Sequence, residues 1–322
     1  MLAALHFRIT LLTAIVLSLF ILSSPAVTYG QERRAPKPTF SEGDTRGVFF
    51  DSLDEAFRDS RPTLATIRKA SSAAAMAAVA STDTDAKDDN SGGDGGWAKL
   101  IAPTSLEDEI KRLKLHYDEV VSTPGSFKGG GYQDARLDLS ILATLFAIIN
   151  DYSGDVRWKD QAAAARDLIA RTAFNCKAGS AQVYNEAKLR KADLQDLVAG
   201  SGLANRDAEP ENDWSMIVDR SPLMEYAQLL QDKLKQASRD KKSTEENAEQ
   251  IRRDAQLLAM VGKVLTLEGL DDAEDDEYVM LSNNMSKAAS AVATAMESNT
   301  YEIGPLVGAV TQSCDACHEQ YR

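Results

Sequence analysis

Apolar side chains recur along this chain at three- and four-residue intervals, and nowhere do they alternate as strand residues do. Leu106, Ile110, Leu113, Tyr117 and Val120 predict a first helix, behind Thr104-Ser105-Leu106-Glu107, which has the form of a capping box. Pro124-Gly125 and the glycines at 129–131 break it. Leu137, Ile141, Leu145, Ile148 and Tyr152 mark a second helix, apolar enough to be largely buried, and Ser153-Gly154 forms the turn after it. Trp158 opens a third helix, which runs through the alanines at 162–165, Leu168, Ile169 and Phe174 and ends near Gly179. The fourth covers residues 181–198 and stops at Gly200-Ser201-Gly202.

A polar, Pro-containing joint at residues 205–212 separates these four from four more. Residues 213–237 carry Leu223, Tyr226, Leu230 and Leu234 on one stripe. Ser243-Thr244-Glu245-Glu246 reads as the cap of the next helix, which presents Ile251, Leu258, Val261 and Leu265 and ends at Gly269. The acidic run at 271–277 suits a helix N-terminus and otherwise reads as a solvated loop, with metal binding a remote second reading. The helix behind it shows Tyr278, Leu281, Met285, Ala288, Val292 and Met296. The last begins near Pro305, with Leu306, Val310, Cys314, Cys317 and Tyr321 on one face. Short connections between helices of similar length predict an all-α protein of two consecutive four-helix-bundle-like units, residues 97–205 and 206–322. Arg112-x-x-x-His116 in the first unit echoes Arg220-x-x-x-Met224 in the second, which points to an internal duplication.

Ahead of the helices the composition changes twice. Residues 1–30 combine a short basic start, the uncharged stretch at 9–22, Ser23-Ser24-Pro25, and small residues before Gln31. That is the make-up of a cleavable signal peptide, and it predicts a periplasmic or secreted protein. An uncleaved anchor is the competing reading, but Pro25 ends the apolar run early. Residues 31–96 follow, with Phe49, Phe50, Leu53 and Phe57 spaced for a short helix. Residues 81–96, rich in Asp, Ser and Gly, have the composition of a disordered linker.

The formal net charge of −13 excludes nucleic acid as an expected partner, because phosphate binding needs clustered Lys and Arg. Three cysteines cannot form a disulfide framework for a chain of 322 residues. Two of them fall in Cys314-Asp315-Ala316-Cys317-His318, and Cys-x-x-Cys-His is the attachment motif of a c-type haem. Thiols one helical turn apart can form thioethers with the two vinyl groups of one haem, and His318 then supplies the proximal iron ligand. Two other readings stay open. A structural zinc would need a fourth ligand, for which Cys176, His116 or a carboxylate is available but unpaired in sequence. A redox dithiol would need a strand before the motif. Cys176 itself lies on an apolar helix and reads as a buried structural thiol, and His116 as a surface histidine.

Residues 308–322, Gly-Ala-Val-Thr-Gln-Ser-Cys-Asp-Ala-Cys-His-Glu-Gln-Tyr-Arg, resemble the C-terminal helix of the cytochrome c′ family and its low-spin relatives. The resemblance covers about residues 212–322. It implies a haem-binding four-helix bundle carrying one covalent haem c, with Arg322 and Tyr321 beside it. Low-spin members carry Arg-x-x-x-Met in the first bundle helix. Arg220-Ser221-Pro222-Leu223-Met224 matches that, and implies Met224 as distal iron ligand; packing is its alternative role. Pro222 departs from the usual pattern but is tolerated in a first helical turn. The order of signal, linker, helical half and haem half is also similar to that of secreted planctomycete-type cytochromes.

These readings lead to one-electron transfer, with a small redox protein or a membrane electron-transfer complex as partner and a homodimer left open. The alternative is a five-coordinate haem module that binds small gases such as nitric oxide or carbon monoxide. A third is an interaction protein whose first half docks a partner. No nucleophile or catalytic dyad stands out in the sequence, so no enzyme is expected.

Overall fold

Long runs of good helix formers, interrupted at glycine, proline and acidic turns, fold here as helices throughout; the computed structural model describes residues 96–204 and 207–321. These belong to one compact unit, Thr63–Arg322. The expected signal peptide, the short helix expected at 49–57, the expected linker up to residue 95, residues 205–206 of the expected joint and Arg322 lie outside the described residues. Among the described residues there is no strand, and no helix is long and apolar enough to cross a membrane.

Among the described residues, eight helices of 14 residues or more make the frame: α1 (Pro103–Val120), α2 (Tyr132–Asp151), α3 (Ala162–Asn175), α4 (Ala181–Ala199), α5 (Arg220–Ala237), α6 (Ala248–Val264), α7 (Asp276–Glu297) and α8 (Gly304–His318). Helix α1 packs on α2 and α4, α2 on α3, and α3 on α4. In the same way α5 packs on α6 and α8, α6 on α7, and α7 on α8. The two sets meet where α5 lies on α2 and α6 touches α1.

The stripe expected for α1 is the buried one: Leu106, Ile110, Leu113, Tyr117 and Val120 are all inside. Helix α2 is buried almost all round from Asp138 to Ile149, as its predominantly apolar sequence requires. Several ends differ from expectation. Pro103 occupies the first helical position of α1, so Ala102 is the N-cap and Thr104 cannot close a capping box. The first turn is instead held from α6, where Gln256 Oε1 accepts from Ser105 Oγ at 2.7 Å and from the Ala102 amide at 3.3 Å. Trp158 does not open α3. It sits at φ 67° before a short 3-10 turn, and its indole nitrogen donates to the Leu197 carbonyl at 2.9 Å. Residues 213–219 are not part of α5; Trp214–Met216 form a 3-10 turn. Ser243-Thr244-Glu245-Glu246 lies inside a short helix, Lys241–Glu246, whose cap is Asp240, accepting from the Ser243 amide at 2.8 Å. The acidic run does start α7, with Asp275 accepting from the Glu277 and Tyr278 amides.

Helices α6 and α7 approach closely at Gly262. A Cβ built there would lie 2.8 Å from the Ser282 carbonyl oxygen and 2.8 Å from the Ser286 amide nitrogen, both backbone atoms. Gly262→Ala would gain up to about 1 kcal/mol in helix propensity, yet it must push two helix backbones apart. Overpacking of this kind costs ~1–3 kcal/mol, so a net loss of stability is expected, seen as a lower denaturation midpoint. An unchanged or raised midpoint would show that the crossing is loose.

The two sets of helices share a buried polar contact. Glu109 of α1, 1% exposed, accepts from Arg112 Nη2 at 2.5 Å and Nε at 2.9 Å. The Tyr226 hydroxyl of α5 donates to the same carboxylate at 2.6 Å. Burial, with Glu109 beside it, keeps the Tyr226 phenol protonated. Tyr226→Phe removes a donor to a buried charge, a loss of about 1.5–3 kcal/mol. Urea unfolding checks this, and a change under ~0.5 kcal/mol would mean the contact contributes nothing.

Candidate functional site

Helix α8 starts with Pro305 in its first turn and ends at His318. Val307 and Val310 are its buried residues. Leu306, Ala309, Cys314 and Cys317 continue the same side as half-buried positions packed against the apolar core. The two thiols thus share one inward face, a turn apart, while Asp315, Ala316 and His318 are exposed. Both cysteines are free, as is Cys176.

Three elements converge at the lower end of this face. Arg220, first residue of α5, pairs with Asp272, and its guanidinium carbon lies 5.8 Å from the ring centre of Tyr278 in the first turn of α7. The Tyr278 ring meets Tyr321 edge-on at 5.1 Å. The Tyr321 phenol lies beside Asp275, and Gln320 Nε2 donates to Glu277 Oε1 at 2.9 Å. Desolvation and the neighbouring Asp275 carboxylate push the Tyr321 phenol up to about 12. Tyr321 and the α7 amides together hold the Asp275 carboxyl below the usual range. From sequence, residues 271–277 read as a helix start and a solvated loop. In the structure Asp272, Asp275 and Glu277 also clasp Arg220 and the segment that follows His318. Nothing in the spacing of these residues signals it, because each contact joins different parts of the chain.

Met224 is half-buried one turn after Arg220 on α5, against the same apolar core, and α5 packs on α8. Pro222 is the third residue of α5, inside the first turn, where its missing N–H is harmless. His116 is exposed on α1, and its Nδ1 lies 2.7 Å from Asp138 Oδ2 of α2. Asp138 is raised to about 6 by burial, with His116 opposing the shift. Cys176 is 1% exposed and burial pushes its thiol up to about 12, the environment of an inert structural cysteine.

The geometry bears on the two rival readings of the motif. A redox dithiol needs a lowered pKa, as a helix N-terminus provides. Cys314 and Cys317 instead sit in the last turns of α8, where the helix dipole disfavours a thiolate. Burial raises both thiols, Cys314 to about 11. For zinc, no group of three or more His, Cys, Asp and Glu side chains is arranged to hold a metal among the described residues.

The residues present fit a covalently held haem. Two protonated thiols face the apolar interior from one side of a thinly buried helix. An imidazole stands at the accessible end of that helix, and a thioether lies on the neighbouring helix α5. No family model, curated protein or solved structure matches this chain.

Proposed function

We propose that this protein is an exported mono-haem c-type cytochrome that carries single electrons. In this reading Cys314 and Cys317 hold one haem c through thioethers, His318 is the proximal ligand and Met224 the distal one. The observation that carries the reading is the pair of thiols on one half-buried face of α8, followed directly by His318. When bound, the haem supplies reversible one-electron chemistry at its iron. The protein's part is to attach, orient and shield. Cys314 and Cys317 fix the group to α8, and the apolar side chains of α5, α7 and α8 keep water from it. The clasp of Tyr321, Tyr278, Asp275 and Arg220 holds the chain on the far side of His318.

Helix pairing supports the finer architecture: two consecutive four-helix-bundle units, residues 97–205 without haem and 206–322 of cytochrome c′ type. In each set the first helix packs on the last, which closes the ring of four. Exposed Asp315 and Glu319 beside His318, with the net charge of −13, suit a basic face on a small redox protein or membrane complex.

Gas binding is the second reading. Its support is that Met224 already has an apolar packing role, which leaves its sulfur free of any required ligation. Optical and EPR spectra of the exported protein separate the two. A low-spin six-coordinate ferric iron supports electron transfer, a five-coordinate high-spin iron supports gas binding, and a protein exported without haem overturns both.

A further inference from the structure

Tyr278 and Ser282 lie four residues apart on one face of α7, each 2% exposed. Neither hydroxyl has a partner at good hydrogen-bond geometry, although Arg220 and Ser282 both lie beside the Tyr278 phenol. A buried polar group left in this state costs about 1–3 kcal/mol, and native proteins contain few of them. The next turn shows the contrast: Ser286 Oγ donates to the Ala259 carbonyl of α6 at 2.8 Å. Nearby carboxylates do not serve the orphans. Asp272 is engaged by Arg220, and Asp275 by the α7 amides and Tyr321.

The surroundings indicate what would. The Arg220 guanidinium lies 5.8 Å from the Tyr278 ring centre, Tyr321, four residues after Cys317, meets the same ring at 5.1 Å, and Cys317 is near enough to act electrostatically on the Tyr278 phenol. Desolvation raises that phenol, which keeps it a proton donor at neutral pH. Two buried donors, with the partly exposed guanidinium of Arg220 beside them, select an anionic acceptor. A haem fixed through Cys317 brings such acceptors with it, because its ring carries two carboxylates.

We propose that the Tyr278 and Ser282 hydroxyls donate to a haem carboxylate, with Arg220 as the neighbouring cation. This rests on the haem reading above and adds binding residues to it from α7. It also accounts for two buried hydroxyls on α7 that lack a well-formed hydrogen bond among the described residues.

The test uses the full-length exported protein and the variants Tyr278→Phe and Ser282→Ala. Covalent haem is measured on denaturing gels, reduction potential at one fixed pH, and denaturation midpoint with and without haem. Haem-free protein is supplied by Cys314→Ala/Cys317→Ala. Both variants are expected to keep their haem. Loss of a donor leaves the carboxylate less compensated and favours ferric iron, so the potential should fall. Tyr278→Phe should lower the midpoint of the haem protein, while in the haem-free background it should leave the midpoint unchanged or raise it. Ser282→Ala repeats the comparison without disturbing the Tyr278–Tyr321 ring contact, and the potential decides alone if the haem-free background does not fold. Haem-loaded variants with wild-type potential and midpoint would overturn this hydrogen bond and leave the cytochrome reading standing. Wild-type protein without covalent haem would overturn both.

Discussion

Haem stain is expected to stay with the wild-type polypeptide after denaturation and acid–organic extraction, and to vanish entirely when Cys314 and Cys317 are both replaced by Ala. The reason is chemical: thioether bonds survive loss of the fold, whereas axial ligation does not. In the structure both thiols are free and protonated at neutral pH, and they share the inward face of a helix with only two buried residues. Both positions are half-buried, so shortening them to Ala opens no large cavity. The variant should lose the cofactor before it loses its helices. Haem that extracts freely from wild-type protein would remove the covalent reading.

Replacement of Met224 by Leu is expected to convert low-spin iron to high spin, lower the reduction potential and admit carbon monoxide. Leu has a similar volume and no ligating atom, so the cost to packing should stay below ~1.5 kcal/mol. The spectral change would then far exceed any change in stability. A wild-type spectrum that is already high-spin and indifferent to the substitution would make Met224 a packing residue and put gas binding first. His116 is a poor substitute ligand. Its Nδ1 is engaged by Asp138, and α1 packs on α2, α4 and α6.

The candidate site is legible in the sequence because it is contiguous: five adjacent residues need only one helix to set their geometry. The helical stripes are legible for the same reason, and the buried face of α1 contains every residue its spacing picks out. What escapes a reading of the sequence is what distant residues decide. The α3 start depends on Trp158 reaching the Leu197 carbonyl. The capping box at Thr104 is displaced by Pro103, one residue earlier. The contact of Tyr226 with Glu109 joins residues 117 apart, and the grouping of Arg220, Tyr278 and Tyr321 joins three helical segments. No local pattern encodes either.

Gln256 on the first turn of α1 has a kinetic meaning. Its partner Ser105 is 151 residues away in the chain, so this tie on the start of α1 forms only after α6 has been made and has docked. The entropy of closing so long a loop must be met before that bond forms. Contacts of such separation slow folding, since early local structure cannot be locked in by them. The first four helices can therefore gather as they emerge, while this one tie on α1 waits for α6. Helix α8, which carries Cys314 and Cys317, is made after both partners of that tie.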